Sequence, residues 1–125
     1  MYDPNMRVLV VDDIQVMRSH ILNMLRDLKI INTSQASDGK QALDLLKILE
    51  FDLIISDWNM PNVNGLELLQ TVRKDKHNKL IPFLMVTAEN KKEYIIEAIK
   101  AGVNNYIGKP FTAETLKKKL NEIFK

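Results

Sequence analysis

The sequence contains no cysteine, which excludes disulfide bonds and thiolate metal sites. It also lacks a long apolar stretch, because the run at 80–86 is far shorter than the roughly 20 residues that a membrane-spanning helix needs. Residues 1–5 carry neither a basic cluster nor an apolar segment, so a secretory signal is not indicated. We therefore expect a cytoplasmic protein that does not associate with membranes.

An excess of charge of one sign is also missing. The chain has 18 Lys and Arg residues against 16 Asp and Glu residues, which gives a formal net charge of +2. That mild basicity does not predict nucleic-acid binding. A chain of 125 residues with 46% hydrophobic residues can build one core. We expect a single domain that spans residues 1–125.

Short apolar runs alternate along the chain with segments of helical periodicity. Strands are predicted at 8–11, 33–37, 53–55, 81–86 and 106–107, and helices at 14–28, 39–49, 65–72, 94–101 and 113–124. Strands separated by such helices must run parallel, and right-handed crossovers place the helices on both faces of the sheet. The pattern therefore predicts a doubly wound α/β fold with a five-stranded parallel sheet.

Polar residues follow the predicted strands at their carboxyl ends, where ligands bind in such sheets. Asp12 and Asp13 follow the first strand, Asp57 the third, Thr87 the fourth and Lys109 the fifth. Any one of these acids could simply cap a helix or end a strand. Three converging carboxylates, however, would repel one another unless a proton or a cation intervened. All-oxygen ligation is typical of Mg²⁺, so we expect magnesium at this edge.

The same set of side chains suits phosphoryl chemistry. A metal ion and the ammonium of Lys109 neutralise phosphoryl charge, and the hydroxyl of Thr87 can donate a hydrogen bond to it. A carboxylate can act as the nucleophile, and Asp57 is the best placed of the three acids. Neither His20 nor His77 stands near another ligand in sequence, so a zinc site is not indicated.

The ordered motifs resemble those of a known family. They are Asp12-Asp13 after Val11, the run Ser56-Asp57-Trp58-Asn59-Met60-Pro61 with Gly65, Thr87-Ala88, and Lys109-Pro110-Phe111. Across the whole chain the sequence is similar to the receiver domains of two-component response regulators, and among them to the stand-alone chemotaxis regulators. The resemblance implies a flavodoxin-like sheet with strand order 2-1-3-4-5.

The resemblance implies a role for each acidic residue. Asp57 would accept a phosphoryl group from the phosphohistidine of a CheA-like histidine kinase. Asp13 and Asp57 would ligate Mg²⁺ directly, Asp12 would assist, and the backbone carbonyl of Asn59 would complete the metal site. The protein would catalyse only its own phosphorylation and dephosphorylation, and would not be an enzyme with an independent substrate.

The resemblance also implies a switch. Lys109 would contact the phosphoryl group, and Thr87 would move toward it after phosphorylation. Tyr106 would then turn from an exposed to a buried position. Asn59 and Glu89 occupy the two positions that tune the lifetime of the phosphate in this family.

The predicted output is contact with a partner protein. In the family, the partner binds the surface of the fourth helix, fifth strand and fifth helix, which here would include Lys91, Lys92, Ile95, Tyr106 and Lys119. This surface is basic with apolar points, which suits an acidic amphipathic peptide. From the residues alone, the lysine run at 117–119 is more typical of a solvated helix face.

The expected partners are therefore a CheA-like kinase, a flagellar motor switch protein and a phosphatase, and we expect a monomer. One alternative is a phosphorelay intermediate that passes its phosphoryl group to a histidine phosphotransfer protein. Another is a Mg²⁺-dependent phosphohydrolase, but such enzymes need an acid two residues after the nucleophile, where this chain has Asn59. A flavin carrier would need a Ser/Thr/Gly-rich loop where Asp12 and Asp13 stand, and is disfavoured.

Overall fold

The computed structural model describes residues 1–88 and 92–125, in which five strands alternate with five helices. The strands are β1 (Val8–Val11), β2 (Thr33–Ala36), β3 (Leu53–Asp57), β4 (Phe83–Thr87) and β5 (Asn105–Gly108). The helices are α1 (Gln15–Asp27), α2 (Gly39–Ile48), α3 (Gly65–Lys74), α4 (Lys92–Lys100) and α5 (Ala113–Ile123). The predicted alternation is confirmed. No helix in these two ranges has both the length and the hydropathy needed to cross a bilayer.

All four strand pairings are parallel, and the strand order is β2-β1-β3-β4-β5, which confirms the predicted topology. The register aligns the carboxyl ends of the central strands. Val11 lies opposite Ser56, Asp57 opposite Val86, and Thr87 opposite Gly108. The residues that end or follow β1, β3, β4 and β5 therefore share one edge of the sheet.

The central strands are buried on both faces, which is why they read as continuous apolar runs. Alternate residues enter two separate core layers. One layer joins side chains such as Leu9 and Ile54 to α2, α3 and α4. The other joins side chains such as Val10 and Ile55 to α1 and α5. The sheet is thus held rigidly between two helical layers, and its carboxyl edge is a fixed platform.

Local sequence signals set several helix ends. Asp38 caps α2, Thr112 caps α5, and Asn64 forms a capping box at the start of α3. Gly102 has a φ of +94° after α4, which suits a residue without a Cβ. Ile14 was predicted to be part of the first helix, but it is the N-cap residue of α1 and makes no side-chain capping hydrogen bond. It is 52% exposed, so it does not join the buried face of the helix.

Candidate functional site

The sheet topology brings the predicted polar residues together at the carboxyl edge. Asp12 directly follows β1, Asp57 is the last residue of β3, Thr87 is the last of β4, and Lys109 directly follows β5. Asp12, Asp57 and Thr87 are buried, Asp13 is exposed, and Lys109 is half-buried. The backbone NH of Lys109 donates to the carbonyl of Thr87 at 2.9 Å, which fixes the start of the loop after β5.

One ammonium group contacts two of the three carboxylates at this edge. The Nζ of Lys109 lies 3.1 Å from Oδ1 of Asp57 and 3.6 Å from Oδ2 of Asp12. Oxygen atoms of Asp12, Asp13 and Asp57 all lie within 4.8 Å of one another. At an effective dielectric constant of about 20, two carboxylates at that separation repel by roughly 3 kcal/mol. Lys109 therefore leaves a net negative site that a divalent cation would neutralise.

Asp12 is the clearest indication that this site takes a cation. Its Oδ1 accepts a hydrogen bond from the backbone NH of Ile14 at 2.9 Å, and its carbonyl accepts one from Arg18 at 2.6 Å. Its Oδ2 is buried and has no hydrogen-bond partner among the described residues. The Lys109 ammonium lies 3.6 Å from this oxygen, beyond hydrogen-bond distance, so a bound metal ion would supply the direct contact that the oxygen lacks.

Asp57 is held by the strand and by the loop that follows it. Ser56 donates its hydroxyl to the carbonyl of Asp57 at 2.9 Å. A Cβ at position 65 would lie only 2.2 Å from that same carbonyl oxygen, so the close approach requires Gly65. Burial raises the pKa of Asp57 above its usual value, and the neighbouring Lys109 ammonium acts in the opposite direction. The Asp57 carboxylate is thus nearly shielded from water yet next to the Lys109 ammonium.

The loop between β3 and α3 lies beside the acidic cluster. It begins at Trp58, whose NH donates to the carbonyl of Val86 at 3.1 Å, and closes where the NH of Gly65 donates to the carbonyl of Trp58 at 2.8 Å. Asn59 is exposed in this loop, two residues after Asp57. The predictions for Glu89 and Lys91 concern positions outside the described residues.

Tyr106 lies on β5 and is 36% exposed, with the Nζ of Lys119 at 5.2 Å from its ring centroid. Between Tyr106 and Thr87 is a cavity of about 10 Å³, which is too small for a phenol ring. Tyr94 of α4 also lines this cavity and packs edge-on against Trp58, with 5.3 Å between ring centroids. The sequence predicted Tyr94 only as a helical residue, and no sequence signal indicates its contact with Trp58.

Only part of the predicted partner surface is exposed to solvent. Lys92 and Tyr106 are exposed, whereas Ile95 and Lys119 are half-buried. Lys119 Nζ lies 3.5 Å from the side-chain oxygen of Asn105. The two histidines stand apart from the acidic edge: His20 is exposed on α1, and His77 contacts Glu50 near the opposite ends of β3 and β4.

Comparison with known proteins gives a consistent family. Residues 8–121 match the family described as the response regulator receiver domain. The chain is 54% identical over 120 residues to chemotaxis protein CheY-3 of Vibrio cholerae, covering 96% of this chain and 92% of that protein.

Solved structures agree with this family. The high-resolution structure of the chemotaxis response regulator CheY4 of Vibrio cholerae matches with a TM-score of 0.88 and 36% identity, covering 95% of this chain and 98% of that one. The receiver domain of the sensor histidine kinase PA1611 of Pseudomonas aeruginosa matches with a TM-score of 0.86 and 26% identity, covering 97% and 99%. That domain was solved with magnesium coordinated in its active-site cleft. The chain therefore belongs to the response regulator receiver domain family, and its relatives include chemotaxis proteins of the CheY type.

Proposed function

We propose that this chain is a phosphoacceptor switch of a two-component system, phosphorylated on Asp57 by a histidine kinase in the presence of Mg²⁺. We further propose that it is a chemotaxis regulator that binds the flagellar motor switch. The observation that carries the first proposal is the placement of Lys109 at 3.1 Å from Asp57, beside a buried oxygen of Asp12 that has no hydrogen-bond donor among the described residues.

The residues at the acidic edge fit a magnesium ion. Asp12, Asp13 and Asp57 would hold it, together with the main-chain carbonyl of Asn59. All are hard oxygen ligands, and the exposure of Asp13 leaves room for the water ligands that Mg²⁺ retains. When bound, the ion supplies positive charge to the phosphoryl oxygens. The magnesium in the related PA1611 receiver domain supports this assignment.

Phosphoryl transfer would begin with attack by an Asp57 carboxylate oxygen on the phosphorus of a phosphohistidine. The new bond joins that oxygen to phosphorus, and the bond from phosphorus to the imidazole nitrogen breaks with its electron pair going to the ring. Lys109 is close enough to stabilise the phosphoryl charge. The hydroxyl of Thr87, at the end of the adjacent strand, would donate to a phosphoryl oxygen.

The switch would operate through Thr87 and Tyr106. Movement of Thr87 toward the phosphoryl group would enlarge the cavity that both residues line. Because that cavity is only about 10 Å³, Tyr106 can turn inward only if neighbouring side chains also shift. Phosphorylation would therefore change the surface formed by α4, β5 and α5 by biasing two states of one packed region.

The proposed partner surface presents Lys92, Ile95, Tyr106 and Lys119, to which the prediction adds Lys91. Its cations and apolar points suit an acidic amphipathic segment of the motor switch protein. The chemotaxis relative at 54% identity supports this choice over other regulators.

The same geometry argues against a phosphohydrolase. Such an enzyme needs a proton donor for the leaving group, and the residue two positions after Asp57 is Asn59, whose amide is not an acid at neutral pH. We therefore propose that the catalysis of this protein is confined to the formation and loss of its own aspartyl phosphate.

The chemotaxis proposal is tested by measuring the affinity of a labelled N-terminal peptide from a flagellar motor switch protein. The protein is titrated in Mg²⁺ with and without beryllofluoride, which mimics the phosphoryl group on Asp57, and Trp58 fluorescence reports whether the site has filled. We expect much tighter peptide binding in the activated state only, and loss of that difference in Asp57→Asn.

A clear Trp58 response without a change in peptide affinity would contradict the motor output and favour the phosphorelay intermediate. Absence of a Trp58 response, together with no labelling by a phosphodonor, would contradict the phosphoacceptor role itself.

A further inference from the structure

The loop between β3 and α3 is tied to the junction of β2 and α2 by two hydrogen bonds. The side-chain amide of Asn62 donates to Oδ2 of Asp38 at 2.7 Å. The backbone NH of Gly39 donates to the carbonyl of Val63 at 3.0 Å. These bonds join segments 24 residues apart in sequence, and they act on the loop that follows the proposed phosphoacceptor.

The two segments are in close contact at Gly39 and Val63. A Cβ at position 39 would lie 2.6 Å from both Cγ1 and the carbonyl oxygen of Val63. Contacts this short exclude any side chain at Gly39, so the absence of a Cβ allows the loop to lie directly on the start of α2. The loop therefore contacts the start of α2 directly, and the hydrogen bond from the Asn62 side chain adds a second tie.

The backbone of Asn62 adopts a conformation that suits its residue type. Its φ is +66°, in the left-handed region that Asn adopts more readily than most L-residues. From this conformation its side chain donates the bond to Asp38.

Asp38 uses its two oxygens for two different tasks. Oδ1 accepts from the backbone NH of Gln41 at 2.8 Å and caps α2, while Oδ2 accepts from Asn62. The pKa of Asp38 is lowered, first by the Gln41 NH and then by the Asn62 amide. Both bonds are thus made to a carboxylate, and hydrogen bonds to a charged acceptor are stronger than neutral ones.

We propose that Asp38 is a positioning residue for the divalent cation: through Asn62 it fixes the loop that carries the main-chain carbonyl of Asn59. The inference rests on the proposed function, because it takes the acidic edge with Asn59 as the metal site. Without the Asp38–Asn62 bond, the loop keeps only the Gly39–Val63 bond of its two described ties to α2, and the main-chain carbonyl of Asn59 is positioned less firmly for a cation. Cation affinity then falls although every carboxylate is still present.

Four variants separate this role from capping and from charge. Asp38→Asn can keep only one of the two bonds, because its amide offers one acceptor atom. Asn62→Gly removes the bond to Asp38, keeps the charge and the α2 cap, and tolerates the positive φ. The double variant Asp38→Asn/Asn62→Asp restores both bonds with donor and acceptor exchanged. Asp44→Asn, at an exposed position of the same helix, is the matched charge control.

The probe is MgCl₂ alone, titrated calorimetrically into each metal-free protein, with urea unfolding in EDTA as the check on folding. Loss of a residue that orients a metal ligand typically weakens affinity about tenfold or more. We expect a magnesium Kd about tenfold weaker for Asp38→Asn and for Asn62→Gly. We expect the double variant and Asp44→Asn to lie within about twofold of the unmodified chain. Since Asn62→Gly retains the cap, it gives the result even if Asp38→Asn folds poorly.

Equal magnesium affinity in the unmodified chain and Asn62→Gly would overturn the positioning role and leave the proposed function standing. A double variant as weak as the single variants would also overturn it. Failure of the unmodified chain to bind magnesium would overturn both this inference and the proposed metal site.

Discussion

Replacing Lys109 by methionine tests whether this residue holds the acidic edge together. Methionine keeps most of the apolar stem and removes the only ammonium within 4.0 Å of Asp12 and Asp57 among the described residues. The Lys109 side chain is 19% exposed, while those of Asp12 and Asp57 are 1% and 8% exposed. These charges are therefore only weakly screened by solvent. Without metal, Lys109→Met leaves two buried carboxylates facing each other and the exposed Asp13 nearby.

The magnitude follows from the distances. At an effective dielectric constant of about 20, the contacts of 3.1 Å and 3.6 Å each contribute about 5 kcal/mol of attraction. The full loss is not expected, because a carboxylate can instead take up a proton. Protonating a group with an unperturbed pKa of 3.8 costs about 4 kcal/mol at pH 7, which sets an upper limit. We predict that Lys109→Met lowers the free energy of unfolding by about 2–4 kcal/mol.

The assay is urea unfolding followed by circular dichroism in EDTA at pH 7 and at pH 4.5. Burial already raises the folded-state pKa of Asp57, and loss of Lys109 raises it further, so protonation on acidification favours the folded state. The deficit of the variant should therefore shrink at the lower pH. Lys118→Met, on the exposed side of α5, should change stability by no more than about 0.5 kcal/mol. A Lys109→Met protein as stable as the unmodified chain at pH 7 would refute the electrostatic reasoning.

Three further changes test separate parts of the fold. Burial raises the folded-state pKa of Asp57, so the folded protein is destabilised by ionisation of this group at pH values above that pKa. Below the unfolded-state pKa of 3.8 the group is protonated in both states and has no such effect. Asp57→Asn should therefore have a higher free energy of unfolding than the unmodified chain at pH 7 in EDTA. Its advantage in urea unfolding should close as the pH falls through that window, and a pH-independent advantage would count against this account. Gly65→Ala should lower the free energy of unfolding by about 3 kcal/mol, since its Cβ would lie 2.2 Å from a backbone oxygen. In Gly108→Ala the nearest atom to the new Cβ is 4.0 Å away, so the free energy of unfolding should change by about 1 kcal/mol or less. Similar losses in both alanine variants would contradict the packing argument. Arg73→Lys should lower stability by about 1–3 kcal/mol, because its guanidinium donates four hydrogen bonds to two loops and an ammonium cannot match that geometry; an unchanged urea midpoint would contradict this role.

The order of strands and helices could be predicted from sequence because parallel strands covered on both faces are apolar throughout. The ends of the strands and helices were harder to predict from the sequence. The fourth strand was predicted from position 81 but begins at Phe83, because Ile81 closes a turn by donating to the carbonyl of Asn78, and Pro82 has no NH to donate. The third strand was predicted to stop at Ile55 but continues to Asp57.

The acidic edge could also be predicted from the sequence, for a related reason. A parallel sheet brings its carboxyl ends together, so polar residues after separate strands can be assigned to one place before any distance is known. The contacts of Asp38 with Asn62 and of Trp58 with Tyr94 could not be predicted in that way. They join side chains from loops and helices whose approach depends on how those elements pack, and neither periodicity nor composition encodes it.

The central claim is that Asp57 accepts a phosphoryl group with the help of a divalent cation. The most direct test is the intact mass of the protein after incubation with acetyl phosphate, with MgCl₂ or with EDTA, for the unmodified chain and for Asp57→Asn. We predict a gain of one phosphoryl group that requires magnesium and is absent in Asp57→Asn. No gain in the presence of magnesium, or an equal gain in the Asp57→Asn variant, would contradict the claim.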